Sequence, residues 1–238
     1  MVVMADVTVA EEEYLQTLYW LYEARLPMTG ANVARAMQLS APTVHEMIGR
    51  LERDGHITRA SDKAISFTGS GREHAEAIVR RHRLIERFLT DVLGIPWDEV
   101  HEEAERLEHA MSPVLEARML AAIGDAKTCP HGHPIEAGSR IEGAPLADVQ
   151  EGATVTVLRF ENEAEDLLHE LKAAGVEPGM NGVLARSAPD EVSIEAGGAR
   201  VTVTRSVAET VSVLADPPPP PRVALPEQLV LARDKYGR

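Results

Sequence analysis

The stretch that decides the fold of the N-terminal part is residues 29–68, TGANVARAMQLSAPTVHEMIGRLERDGHITRASDKAISFT. Thr29 and Ser40 can each cap a helix, and Pro42 suits the first turn of the second helix, where a missing N–H costs little. Two short β-like runs with a polar tip follow and predict a hairpin. Helix, short turn, helix and hairpin together are typical of a winged helix-turn-helix, which predicts DNA binding.

The second helix of such a motif places its first residues against base edges in the major groove. We therefore predict base-reading positions at Ser40, Ala41, Pro42, Thr43, His45 and Glu46. Basic residues on the helix and the hairpin are predicted phosphate contacts, namely Arg50, Arg53, Arg59 and Lys63. The alternative is a packed helical hairpin with a β-turn and no contact with DNA.

Charge is distributed unevenly along the 238 residues, whose formal net charge is -14. Residues 28–90 carry 10 Lys/Arg and 7 Asp/Glu, a net charge of +3, which leaves -17 on the rest of the chain. A mildly basic block can still meet DNA, while the acidic remainder lowers non-specific affinity.

No long apolar run, signal peptide or cysteine pair is visible in the sequence. An apolar run of about 18 residues would predict a membrane span, and the first residues lack the basic start and apolar stretch of a signal peptide. The single Cys129 cannot form an internal disulfide, which fits a reducing compartment. We therefore expect a cytoplasmic protein without a membrane partner.

Three helices are predicted after the hairpin, at about 68–92, 97–110 and 112–123. The first carries His82 and Glu86, and the second carries a stripe of His101, Glu105, Glu108 and His109. Side chains three or four apart share one helix face, so two such packed helices would hold imidazoles and carboxylates around a divalent metal. The alternative is an ion-paired helix surface that uses Arg83, Arg87 and Arg106.

The tract Cys129-Pro130-His131-Gly132-His133 imitates a metal-binding motif. Three candidate ligands within five residues, without a second cluster, do not complete a tetrahedral zinc site. We therefore expect no metal role for it.

The C-terminal part changes to β-rich sequence from about residue 152, interrupted by one helix near 164–174, and predicts a small barrel. The expected fold is mainly α with a β-rich C-terminal part. The predicted division is a winged helix-turn-helix domain at 1–72, a helical metal-binding and dimerisation domain at 73–135, a linker at 136–151, an SH3-like β-barrel at 152–216 and a Pro-rich tail at 217–238.

The motifs resemble the diphtheria toxin repressor family of metal-dependent transcriptional regulators. The likeness is carried by Ser40–Val44, Arg50–Gly55, Ser61–Lys63, Arg81–Leu89, Val100–Ala104, Glu108–Ser112 and Cys129–Gly132, and covers about residues 8–135. The β-rich end resembles the SH3-like (FeoA-like) barrel that some members carry. The resemblance implies a repressor of metal-ion homeostasis that binds palindromic operator DNA as a homodimer.

The resemblance also implies two metal sites per subunit. His82, Glu86 and His101 match the ancillary site, while Glu105, Glu108 and His109 match the primary site, which Glu13 joins from the first helix. The barrel of the family adds ligands to the ancillary site, and Glu163 and Asp166 have the best spacing for it. The alternative for those two is an acidic helix start favoured by the helix dipole.

The ligand set favours Mn(II), with Fe(II) as the alternative. Iron-responsive members often have Met and Cys where this chain has Glu13 and Glu105, and carboxylates with imidazoles suit Mn(II) better than soft sulfur ligands do. Gln16 matches a position that is acidic in some manganese-responsive members.

We predict that the protein is not an enzyme. Two other functions stay open at this point: a dinuclear carboxylate–histidine metalloenzyme, and a winged-helix regulator that responds to an organic ligand.

Overall fold

The computed structural model describes residues 7–220. Its helices are α1 (Val9–Glu23), α2 (Gly30–Met37), α3 (Ala41–Arg53), α4 (Gly69–Asp91), α5 (Val100–Glu108), α6 (Pro113–Ile123), α7 (Glu165–Ala174) and α8 (Arg205–Ala208). Its strands are β1 (Ile57–Arg59), β2 (Ile65–Phe67), β3 (Ala144–Pro145), β4 (Thr154–Phe160), β5 (Asn181–Ser187), β6 (Glu191–Ala196), β7 (Ala199–Thr204) and β8 (Val211–Asp216). Most of the predicted Pro-rich tail lies outside the described residues.

The N-terminal winged helix forms as predicted. Thr29 Oγ1 accepts a hydrogen bond from Asn32 N at 3.3 Å, and Ser40 Oγ accepts one from Thr43 N at 3.3 Å, which confirms both predicted caps. The antiparallel pair β1–β2 makes the wing. One apolar core joins α1, α2, α3, the wing and the start of α4, with Leu15, Leu18, Val33, Ile48, Leu51 and Ile57 at its centre.

The long helix α4 connects this unit to the middle of the chain. Its first half packs on α1, and its second half packs on α5 and α6 around Leu84, Ile85 and Ala104. The helix α5 begins at Val100, about three residues later than predicted, because Trp97 and Asp98 are engaged elsewhere. Trp97 packs on Phe160 of β4 with ring centroids 5.5 Å apart, and Asp98 is buried.

The C-terminal part is a six-stranded antiparallel sheet in the order β3-β8-β4-β5-β6-β7. The sheet and α7 surround one apolar core that includes Phe160, Leu168, Leu171, Ile194 and Val211. The β-rich sequence from about residue 152 predicted a small barrel, but strand β3 lies before that point, at Ala144–Pro145. Strand β3 has only two residues and exists through its pairing with Val213 and Ser212 of β8, a non-local contact that local pattern does not reveal.

The turn at residues 129–133 is part of the interface between the helical region and the sheet domain. Phe160 N donates to His131 O at 3.0 Å, and the Phe160 carbonyl lies 2.7 Å from His133 Nε2. Gly132 has a φ of +91°, and a Cβ there would lie 2.0 Å from Leu158 O. Only glycine allows β4 to approach this closely.

Residues 136–151 were predicted to be a linker, but β3 lies within this segment and pairs with β8. The turn at 129–133, just before it, holds the sheet domain directly against the helices. Along the described part of the chain, we find no helix long and apolar enough to cross a membrane.

Candidate metal centre and DNA-reading surface

The residues of the predicted ancillary site form a buried cluster where α4 and α5 cross. His82 Nε2 lies 3.0 Å from Glu86 Oε1 and 3.1 Å from His101 Nδ1. Glu86 is fully buried, and both histidines are at most 6% exposed. The predicted helical spacing therefore places these three side chains together, as the resemblance implies.

The sheet domain contributes Glu163 to this cluster. Its Oε2 lies 3.3 Å from His101 Nδ1, and its Oε1 lies 3.3 Å from His133 Nε2. The possible ligand atoms of His82, Glu86, His101 and Glu163 all lie within 4.8 Å of one another. Asp166 is not brought to the cluster: it is exposed, and its Oδ1 accepts a hydrogen bond from Leu167 N at 2.9 Å, as expected at a helix start.

Cys129 and His131 also reach the ancillary site, contrary to expectation. Their ligand atoms and a carboxylate oxygen of Glu86 lie within 4.8 Å of one another, and all three residues are buried. His131 Nε2 donates to Trp97 O at 2.7 Å, which leaves Nδ1 facing Glu86 Oε1 at 3.3 Å. No second cluster of ligands lies near this tract in the sequence. In the structure, Glu86 of α4 supplies the missing ligand. The Cys-x-His spacing was the available signal.

The polar atoms at this site suit a divalent cation. Within residues 7–220, Glu86 Oε2 and His131 Nδ1 are buried and have no hydrogen-bond partner. Buried polar groups are rarely left unsatisfied in proteins. Carboxylate, imidazole and thiolate are the donors of transition-metal sites. A cavity of about 150 Å³, whose lining includes Trp20, His133 and Glu163, borders the cluster.

The charges at the ancillary site balance one another. Burial by itself lowers the pKa of His82, but the carboxylates of Glu86 and Glu108 outweigh it and raise that pKa well above the ordinary value. Burial by itself raises the pKa of Glu86, but His131 and His82 bring that pKa well below its usual range. Without metal, the protonated imidazoles therefore supply the positive charge that a bound cation would supply.

The primary-site residues come from α1 and α5. His109 Nδ1 lies 2.7 Å from Glu12 Oε2, and His109 Nε2 lies 3.4 Å from Glu108 Oε1. Partial burial and the carboxylates of Glu105 and Glu108 raise the pKa of Glu13, against the effect of His109. Glu13 interacts electrostatically with the other three, but it is exposed, and Glu12 rather than Glu13 pairs with His109. Among residues 7–220, some groups of possible metal ligands have all their ligand atoms within 4.8 Å of one another. The primary-site residues do not form such a group.

Glu108 is buried between the two sites. Its Oε2 accepts a hydrogen bond from Gln16 Nε2 at 3.1 Å and lies 2.6 Å from His82 Nδ1. The amide of Gln16 therefore supports Glu108 as a hydrogen-bond donor, in the place where an acidic side chain would bring a further negative charge.

The predicted base-reading residues share an exposed surface at the start of α3. Ser40, Ala41, Pro42, Thr43, His45 and Glu46 are all exposed, while Val44 and Ile48 of the same helix face the core. Arg53 and Lys63 are exposed as well. Arg50 Nε pairs with Glu11 Oε1 at 2.9 Å, and Arg59 Nε donates to Glu52 Oε2 at 2.8 Å. Both arginines that were predicted to contact phosphates therefore pair with carboxylates in this structure.

A winged helix joined through metal-ligating helices to a small β domain defines a metal-responsive DNA-binding regulator. Residues 6–65 match the N-terminal DNA-binding domain of the iron-dependent repressors, residues 68–137 match their metal-binding and dimerisation domain, and residues 144–215 match the FeoA domain. The chain belongs to the iron-dependent repressor family. The predicted family and fold are thereby confirmed.

Individual relatives agree with this assignment. The iron-dependent repressor IdeR of Mycobacterium leprae (strain TN) is 34% identical over 227 residues, which cover 88% of this chain and 99% of the relative. The diphtheria toxin repressor of Corynebacterium jeikeium (strain K411) is 39% identical over 143 residues, 60% of each chain.

Solved structures of similar proteins share the whole architecture. A manganese-dependent transcriptional repressor in complex with manganese has a TM-score of 0.79 and 31% identity, covering 86% of this chain and 99% of that one. The repressor ScaR with bound Zn²⁺ has a TM-score of 0.71 and 28% identity, covering 86% and 98%. The predicted function, a metal-dependent transcriptional repressor, is that of the family.

Proposed function

We propose that this protein is a repressor that binds palindromic operator DNA as a homodimer when Mn(II) occupies two sites in each subunit. The observation that carries the proposal is the buried cluster of His82, Glu86, His101 and Glu163. It joins α4, α5 and the sheet domain, so an ion bound there would fix three parts of the chain at once.

The primary site would provide the switch. Glu13 lies on α1, which shares its core with the DNA-reading helix α3, whereas Glu105, Glu108 and His109 lie on or beside α5. A metal supplies a shared positive charge that attracts the ligands from both sides. It thereby fixes the angle between the reading head and the dimerisation helices. The metal activates the protein only to the extent that it binds the DNA-competent state more tightly.

The dimer is proposed to form through exposed apolar side chains of the helical region. Val92, Leu93, Leu107, Val114 and Leu115 are between 43% and 72% exposed and lie at the ends of α4, α5 and α6. A monomer rarely exposes so many large apolar side chains in one region without a partner. A second copy would cover them and set two reading heads at half-sites one helical turn apart, ~34–36 Å.

Mn(II) is the proposed signal at the primary site, where every candidate ligand is a carboxylate or an imidazole. The ancillary site also offers the thiol of Cys129, so it can accept softer ions such as Fe(II) or Zn(II). The solved relatives described with manganese and with Zn²⁺ support a site that accepts more than one kind of metal ion. Selection would then depend on geometry and on metal availability rather than on raw affinity.

The test is binding of the chelator-stripped protein to a library of genomic DNA fragments with Mn(II), with anaerobic Fe(II) and without metal. We expect a palindrome to be enriched only with metal, and the better metal to identify the signal. Glu108→Ala should abolish enrichment, while Glu102→Ala, an exposed position of the same helix, should retain it. Equal enrichment without metal would favour a regulator of the organic-ligand type, and no enrichment would return the metalloenzyme as a candidate.

A further inference from the structure

A second connection between the helical region and the sheet domain lies next to the ancillary site. Asp98, two residues before α5, is 5% exposed although it carries a carboxylate. Lys172 of α7 donates to Asp98 Oδ1, and His169 Nε2 of the same helix lies 3.5 Å from Asp98 Oδ2. A buried carboxylate is tolerated only when it is paired in this way.

This ion pair connects the same two parts of the chain as the candidate metal ligands do. Asp98 precedes the ligand His101 by three residues, and Lys172 lies on the helix that begins two residues after the ligand Glu163. The connection His101–Glu163, at 3.3 Å, and the connection Asp98–Lys172 therefore close a ring between α5 and α7. Two like carboxylates, Glu86 and Glu163, lie in the ancillary-site cluster with ligand atoms within 4.8 Å of one another.

Further contacts between the two domains hold β4. Phe160 N donates to His131 O at 3.0 Å, and Trp97 packs on the Phe160 ring. Glu163 lies in the short loop between Phe160 and α7, so its position needs an anchor on each side. The turn at 129–133 anchors the first side, and Asp98 anchors the second.

We propose that Asp98 and Lys172 are positioning residues that hold Glu163 in the ancillary site before the metal arrives. The ion pair keeps α7 docked in the metal-free protein, so the metal does not have to order the sheet domain itself. Without the pair, metal binding must supply the free energy that orders the sheet domain. The affinity of the ancillary site for metal is therefore lower. The inference rests on the proposed metal sites and adds a regulatory contact that contains no metal ligand.

The experiment titrates Mn(II) into metal-free full-length protein by calorimetry, in a Glu13→Ala background that silences the primary site. Lys172→Met should lower the remaining affinity about tenfold, within the usual range of couplings between linked sites. The matched control, Glu170→Gln, changes an exposed residue of the same helix and should leave the affinity unchanged. With Glu13 restored, Lys172→Met should leave the primary-site affinity within about twofold, because its ligands lie on α1 and α5.

A readout independent of metal is trypsin cleavage after Arg140, followed by mass spectrometry. In the docked state the Arg140 side chain is 19% exposed and pairs with Glu161. Lys172→Met should accelerate this cleavage in the metal-free protein, and saturating Mn(II) should restore protection. The double variant Asp98→Asn with Lys172→Gln leaves no buried charge unpaired but also lacks the ion pair, so it should be cleaved about as fast as Lys172→Met.

The outcomes separate the two proposals. If the wild type binds two Mn(II) ions and Lys172→Met matches it in ancillary affinity and in cleavage, the positioning role is overturned while the repressor proposal stands. If the double variant recovers the wild-type protection, the unpaired carboxylate of Asp98 and not the loss of the pair explains Lys172→Met, and the positioning role is rejected. If the wild type binds no metal, the proposed function fails first.

Discussion

One imidazole connects the two candidate metal sites: His82 Nδ1 lies 2.6 Å from Glu108 Oε2, while His82 Nε2 faces Glu86 and His101. A metal on Nε2 leaves Nδ1 as the N–H donor to Glu108. That donor fixes one oxygen of Glu108 and leaves Oε1 on the side of His109. Because Nδ1 also carries a proton in the metal-free imidazolium, we expect a metal on Nε2 to keep this hydrogen bond and to fix the ring that makes it.

Positive cooperativity between the sites follows from this connection. We expect Glu86→Ala to weaken Mn(II) binding at the primary site about fivefold, at the low end of typical coupling energies. Operator binding should suffer less from Glu86→Ala than from Glu108→Ala, which removes a primary ligand outright. Calorimetry and an operator-binding assay measure the two effects, with Glu73→Ala as the exposed control on α4. A primary-site affinity that ignores Glu86→Ala would refute the coupling.

Cys129 should decide how well the ancillary site binds soft metals. Burial raises the pKa of its thiol, so a metal must displace the proton to gain a thiolate ligand. We expect Cys129→Ser to reduce Zn(II) or Co(II) affinity at that site by at least about tenfold and Mn(II) affinity much less. The Co(II)-loaded wild type should show a thiolate-to-cobalt charge-transfer band in the near ultraviolet. If the band persists in Cys129→Ser, the thiol is not a ligand.

Metal binding should release protons at neutral pH. The raised pKa values of His82 and His131 keep both imidazoles protonated in the metal-free protein, and their ligand nitrogens must lose protons to bind Mn(II). Affinity should therefore rise with pH above the ordinary histidine value of 6.5. Calorimetric enthalpies in buffers of different ionisation heat count the protons, and a buffer-independent enthalpy would contradict this.

The same shifts set the stability of the metal-free protein. The stabilisation from the His82 imidazolium is fully present below pH 6.5 and is lost as pH rises through the raised folded-state pKa. The lowered pKa of Glu86 acts in the opposite direction, since its contribution is lost as pH falls below the ordinary carboxyl range. Thermal unfolding across pH should show the metal-free protein weakening in alkali more than the Mn(II)-loaded form.

The exposed apolar side chains of α6 predict the dimer interface. Val114 is 72% exposed, and Val114→Glu should place a charge where a second copy packs. Light scattering should report a monomer, and operator affinity should fall at least about tenfold because two half-sites are no longer bound together. Val183→Glu, at an exposed position of the sheet domain, is the matched control. A dimeric Val114→Glu protein would place the interface elsewhere.

Local sequence rules predicted the helices and their starts well. Thr29, Ser40 and Ser112 each accept a hydrogen bond from the first turn of the helix that follows, because capping is a local property of a few neighbouring residues. The stripes on α4 and α5 likewise follow from helical spacing. These rules say which side chains share a face, and the crossing of the two helices brings the faces together.

The parts that sequence reasoning missed all depend on distant contacts. In the sequence, Cys129 and His131 have no third metal ligand nearby. The third member of their cluster, Glu86, lies 45 positions before His131, on α4. Asp166 has the right residue type and spacing, but α7 begins at Glu165 and places Asp166 on its exposed face. Strand β3 exists only through pairing with β8. Tertiary packing decides such cases, and neighbouring sequence does not encode it.

The close approach at Gly132 bears on how this protein can be divided for study or for engineering. A version shortened before β4 would lose Glu163 and also leave the His131 carbonyl and the His133 ring without their Phe160 partners. The turn that carries Cys129 and His131 would keep its hydrogen bonds from Arg83 and Arg87 of α4, but the side that faces β4 would become solvated. Removal of the FeoA region would thus alter the helical region itself. The two regions are not independent domains that only a linker connects.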